Sequence, residues 1–145
     1  MKTITIAIAS DHSGHLLKTK IIEYFIKKDE FKITDLGTNN DEVVDYPDYA
    51  KLVVDNLLED ITHFGILICG TGIGMSIAAN RSSGIRAALC LDLFMAERAR
   101  SHNDANILVL ASKITDYDLA IQIVDEFFST NFDGGRHSAR LAKIT

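Results

Sequence analysis

The sequence predicts an α/β fold, a five-stranded parallel sheet with helices on both faces. Three observations predict it. Five short apolar runs alternate with stretches of helical length along all 145 residues. The runs are rich in Ile, Val and Leu and barely alternate, which is how strands buried on both faces read. Polar, glycine-bearing segments follow the runs, where loops of such sheets lead into helix N-termini and ligands bind.

The first run, Thr3–Ala9, ends in the polar segment Ser10–Gly14. The second, Phe31–Leu36, leads through Gly37–Tyr46 to Pro47, which is suited to the first turn of a helix. The third, Phe64–Cys69, runs into glycines and then a helix beginning near Met75. The fourth, Ile85–Leu91, is followed by Asp92, a good N-cap. The fifth, Asn106–Ala111, passes through a Ser112–Lys113 turn to a helix on which Leu119, Ile123 and Phe127 recur every four residues. Thr115 and Asp118 are placed before them like a capping box. No linker, repeat or low-complexity stretch interrupts this series, so residues 1–145 read as one domain.

Composition narrows the function classes. A net charge of −5 argues against a nucleic-acid module, which needs a basic face. No apolar run approaches membrane-spanning length, and MKTITIAIASDH has too short an apolar part for a secretory signal. Cys69 and Cys90 lie in separate runs, with neither a disulfide framework nor metal-site spacing. The expectation is a cytoplasmic protein with reduced thiols, no metal and no cofactor.

Four segments are placed to carry chemistry. In Gly65–Arg81 a buried strand ends at Cys69, and Gly70, Gly72 and Gly74 follow at alternate positions before a helix. That spacing lets the backbone turn sharply and aim several N–H groups at one point, making an anion cradle that also favours negative charge on the neighbouring sulfur. Cys69 is then a nucleophile or a base; the plain alternative is a cysteine that merely ends a core strand. The loop lacks the Lys-Ser/Thr of a Walker A motif, and its third glycine comes one residue early for a dinucleotide fingerprint, although Asp92 lies about twenty residues on. A non-catalytic nucleotide- or phosphosugar-binding module is therefore the competing class.

Asp11 and His12 could serve proton transfer or hydroxyl binding, or Asp11 could cap the next helix and leave His12 solvated. Ser101–Asn106, with His102 and Asn103, falls at the other end of the sheet from the cradle. It is a plain turn unless a second subunit completes the site. In Gly134–Arg140, a helix starting at Gly135 sets Arg136 and Arg140 on one face, matching phosphate geometry or forming a solvated basic helix. Cys90 reads as core, and His15 and His63 as surface residues without companions.

Together these segments resemble the ribose-5-phosphate isomerase B family, which also includes the galactose-6-phosphate isomerase subunits. The resemblance rests on ASDHSG, DLGT, VDYPDYA, LICGTGIGMSIAANR, GIRAALCLD, ARSHNDANIL and GGRHSAR, in the family's order over essentially the whole chain. It implies a three-layer Rossmann-like fold, a small phosphosugar substrate, and a homodimer with shared active sites, with pairing of dimers into tetramers left open. It implies that Cys69 moves the proton between C1 and C2, and that Gly70, Gly72, Ile73 and Gly74 cradle the enediolate oxygens. Asp11, Thr71 and His102 match positions linked to ring opening. His12, Arg136 and Arg140 match the phosphate side, and Tyr46 and Asn103 match contacts to sugar hydroxyls. Some members use a glutamate later in the loop; Met75 stands there and cannot act as a base. Lys113 stands where many members carry arginine. The activity implied is interconversion of ribose 5-phosphate and ribulose 5-phosphate, with a six-carbon phosphosugar such as allose 6-phosphate as a close variant.

Overall fold

The computed structural model describes residues 2–144. Its elements in chain order are β1 (Ile4–Ser10), α1 (His15–Ile26), β2 (Phe31–Asp35), α2 (Tyr46–Leu58), β3 (Phe64–Cys69) and α3 (Ile73–Ala79). They continue with β4 (Ala87–Leu89), α4 (Leu93–Ser101), β5 (Ile107–Ala111), α5 (Tyr117–Ser129) and α6 (Arg136–Leu141). All strand pairings are parallel and the order is β2-β1-β3-β5-β4. This is the three-layer, Rossmann-like α/β arrangement that the alternating runs predict.

The apolar runs are continuous because the pleat sends alternate residues to two separate cores. Ile6, Ile8, Ile66, Ile68, Leu108 and Leu110 pack against α1, α4 and α5. Ala7, Ala9, Leu67, Cys69, Ile107 and Val109 face α2 and α3. Phe127 is fully buried, and its truncation to Ala would cost about 3–5 kcal/mol. No helix among the described residues is long and apolar enough to cross a membrane.

Several details differ from the sequence expectation. The strand read as Ile85–Leu91 pairs only over Ala87–Leu89, leaving Cys90 just beyond it. Asn106 falls outside β5 because its side chain is used elsewhere, accepting from Arg86 N at 2.8 Å and donating to Gly84 O at 2.9 Å. The cap of α5 is Asp116, whose carboxylate accepts from Leu119 N at 2.9 Å, and not Thr115, whose buried hydroxyl has no partner among the described residues. His63 does have a companion: its Nδ1 accepts from Thr5 N at 3.1 Å. Asp92 and Pro47 take the places expected of them.

The strand order sets the position of the site. From β1 the chain moves outward to β2, then returns to the other side of β1 as β3. The loops after β1 and β3 therefore leave in opposite directions, opening a crevice at their carboxyl ends. Asp11 begins one loop and Gly70 the other, and Asp11 N donates to Ile68 O across the gap.

Candidate active site

Cys69 is the last residue of β3, 5% exposed, with its side chain on the α2/α3 side of the sheet. Its carbonyl accepts from Ser112 N at 2.9 Å, tying the β3 loop to the β5 loop. The turn from β3 into α3 depends on Gly72, which has φ +75 and caps the helix. A Cβ there would lie 2.5 Å from Leu89 Cδ1. α3 therefore begins at Ile73, two residues before the expected start. Gly74 is required by close approach, because a Cβ would meet the Tyr46 ring at 2.6 Å.

Ile73 N donates to Thr71 Oγ1, whereas the amides of Gly70, Thr71, Gly72, Gly74 and Met75 find no acceptor among the described residues. These are the unsatisfied donors expected at a helix start, and they belong to the turn that directly follows Cys69. Tyr46, at the start of α2, lies against the cradle, and the Lys113 side chain runs past Gly70.

Across the crevice, one oxygen of the buried Asp11 carboxylate accepts from Ser13 N, Ser13 Oγ and Gly14 N at 3.0, 2.7 and 3.2 Å. These bonds close the turn ahead of α1, whose N-cap is Gly14 and not Asp11, and they leave the second oxygen without a protein donor among the described residues. His12 is half-buried, its Nδ1 accepting from Val44 N at 3.2 Å. The structure thus gathers Asp11, His12, Tyr46, Cys69, Thr71 and the glycines at one edge of the sheet.

His102, Asn103, Arg136 and Arg140 are not among them. His102 ends α4 at the amino edge, and the length of β5 separates it from the cradle, about 13 Å. There its ring stacks on His137, centroids 4.1 Å apart and planes 22° apart. Burial lowers the pKa of His137, and nearby His102, Arg136 and Arg140 lower it further. Asp133 completes a group whose donor atoms lie within 4.8 Å of one another. Such a group could hold a metal, but the charges of Arg136 and Arg140 stand near it and disfavour a cation. Arg136 and Arg140 form no ion pair among the described residues. Asn103 borders a cleft of about 400 Å³ between β4 and α6.

Sequence reasoning passed over His137, although it stands between the two arginines in the quoted GGRHSAR. Its partner in the stack is 35 positions away, which no local pattern reports. Cys90 is buried, and desolvation together with the Asp92 carboxylate pushes its thiol up to about 12, so it is the inert cysteine of the two.

A parallel sheet with its crevice at a topological switch point, and a strand-end cysteine at a turn of free amides, define a Rossmann-like α/β enzyme that handles a small anionic ligand. Comparison with known proteins makes the class particular. The sequence profile described as Ribose/Galactose Isomerase matches residues 6–144, and the chain belongs to that family. A Rickettsia conorii protein, whose description goes no further than sugar phosphate isomerase, is 60% identical over 144 residues, 99% of each chain. The crystal structure of a ribose 5-phosphate isomerase from Thermotoga maritima superposes with a TM-score of 0.95 at 57% identity, covering 97% of both chains. A Mycoplasma genitalium ribose-5-phosphate isomerase B, solved with ribulose-5-phosphate bound, superposes at 0.92 with 45% identity, covering 99% of this chain and 95% of that one.

Proposed function

We propose that the protein interconverts D-ribose 5-phosphate and D-ribulose 5-phosphate, with Cys69 as the base. The observation that carries this reading is Cys69 at the end of β3, followed directly by a turn of free backbone amides. The bound ribulose-5-phosphate of the Mycoplasma relative supports the choice of sugar.

Ring opening comes first, since the sugar rests as a hemiacetal. Asp11, Thr71 and His102 serve it by moving a proton from the C1 hydroxyl to the ring oxygen. The Cys69 thiolate then removes the C2 proton, and the electron pair moves through C1 onto O1 as a cis-enediolate. The free amides of the Gly70–Met75 turn hold that developing charge; each well-aimed donor is worth roughly 10²–10³ in rate. Return of the proton to C1 and transfer of the O2 hydroxyl proton to O1 complete the ketose. His12, Arg136 and Arg140 bind the phosphate, while Tyr46 and Asn103 bind hydroxyls.

Because His102, Asn103, Arg136 and Arg140 stand a strand's length from Cys69, each site takes them from the partner subunit of a homodimer. Ile73, Ile77, Leu93, Phe94 and Met95, apolar and exposed on α3 and α4, are side chains that a second copy would cover. Two free cysteines suit action in the reducing cytoplasm.

The test is ribulose 5-phosphate formation with EDTA present, alongside solvent-deuterium exchange at C2. Wild type is expected to do both, and Cys69→Ala neither, while still binding the sugar. Unchanged exchange in Cys69→Ala would overturn the mechanism. Comparing kcat/KM on allose 6-phosphate tests the choice of sugar.

A further inference from the structure

Lys18 is a charged side chain buried to 0% exposure on α1, outside the site. It follows Leu17 on the helix face that also buries Ile21 and Phe25. A buried ammonium is costly unless fully paired. Its Nζ donates to Asp35 Oδ1 at 2.7 Å and to Asn39 Oδ1 at 2.8 Å. The same Asp35 oxygen accepts from Gly37 N at 2.9 Å. Lys18 therefore grips the first residues of the loop between β2 and α2 from beneath.

That loop runs straight to the site. Ser10 N donates to Gly37 O at 2.8 Å and Thr38 N to Ser10 O at 3.0 Å, stitching it to the residue before Asp11. Farther along, Val44 N donates to His12 Nδ1 at 3.2 Å. The loop ends at Tyr46, whose ring lies on Gly74. A backbone N–H can only donate, so His12 Nδ1 must be bare and the ring proton sits on Nε2.

We infer that Lys18 is a positioning residue: by anchoring the 37–45 strap it brings Val44 N–H onto His12 and fixes that imidazole as the Nε2–H tautomer. Nε2–H is then a ready donor toward an anionic group. The consequence for catalysis rests on the proposed reading of His12 as a phosphate contact. Asn39 is the strap-side half of the grip; because it is exposed, its truncation removes no buried apolar surface and leaves Lys18 paired with Asp35.

The test uses Lys18→Met and Asn39→Ala, read by side-chain ¹⁵N spectra of His12 and by steady-state kinetics on ribose 5-phosphate. Wild type is expected to show one tautomer, with Nδ1 bare. Both variants are expected to show His12 exchanging between tautomers. KM should rise about tenfold in Lys18→Met, the loss of roughly one charge-assisted hydrogen bond, with kcat changed less than about twofold. Should Lys18→Met not fold, Asn39→Ala carries the test with a smaller rise of about threefold. An unchanged His12 spectrum in Asn39→Ala overturns the inference. A changed spectrum with unchanged KM supports the strap and removes His12 from the phosphate site. A wild type without isomerase activity overturns the proposed function, and the spectra still decide the strap.

Discussion

The cradle at the carboxyl edge and the histidine–arginine group at the amino edge are made of different materials. At the cradle the free donors are main-chain amides, placed by a φ of +75 at Gly72 and by the β3–β5 pairing that holds Cys69. At the other edge every polar group is the end of a side chain. His102 leans on His137, and Arg136 and Arg140 project from a helix of six residues. The first region is set by the main chain; the second is built of titratable side chains and lies a strand's length from Cys69. Neither is a complete site, which is why the proposed reading joins them through a partner subunit.

The sharpest way to break this contrast is to separate the halves genetically. Cys69→Ala and His102→Ala should each lose about 10³-fold or more in kcat as homodimers. Mixed with subunit exchange, they should recover about a quarter of wild-type activity, since half the dimers pair the two variants and each holds one intact site. Absence of recovery with exchange demonstrated would mean that His102 never meets Cys69.

Next in size is the backbone itself. Gly72→Ala forces a Cβ to 2.5 Å from Leu89 Cδ1 at a left-handed φ, and should cost about 2–3 kcal/mol in urea unfolding. Arg136→Ala should leave stability within about 0.5 kcal/mol, because the side chain is exposed and unpaired, and raise KM instead. Equal stability losses would erase the proposed difference between the two regions.

The smallest effect is on pH. His137 has a folded pKa below its ordinary 6.5, through burial first and then His102 and the two arginines. Below 6.5 the unfolded chain binds more protons than the folded one, so stability is present above that value and falls as pH drops through it. Urea midpoints followed downward from neutral pH should show this slope, and His137→Asn should flatten it. A slope that survives the substitution would assign the titration elsewhere.

Much of the carboxyl edge was legible because its causes are local. Continuous Ile/Val/Leu runs mark strands buried on both faces, and alternating glycines mark a turn that must approach Leu89 and Tyr46 closely. Where two local signals competed, the reading slipped: Thr115 and Asp116 both suit a cap, and the carboxylate took the helix N–H while the hydroxyl was buried. The place of β5 between β3 and β4 was not legible, since pairing order is settled by packing between distant strands. His137 and Lys18 were missed for related reasons. The stack on His102 joins remote segments, and Lys18 reads as a surface cation unless its place beside Leu17, Ile21 and Phe25 on a core-facing helix is noticed.

The free amides of the β3–α3 turn have a consequence over generations of sequence change. Groups that belong to the main chain are inherited with the fold and do not depend on any one codon for their donors. The side chains at Thr71, Ile73 and Met75 can drift while, in the proposed mechanism, the hold on the enediolate oxygen stays. A lineage built on this turn can change its sugar without reinventing its chemistry.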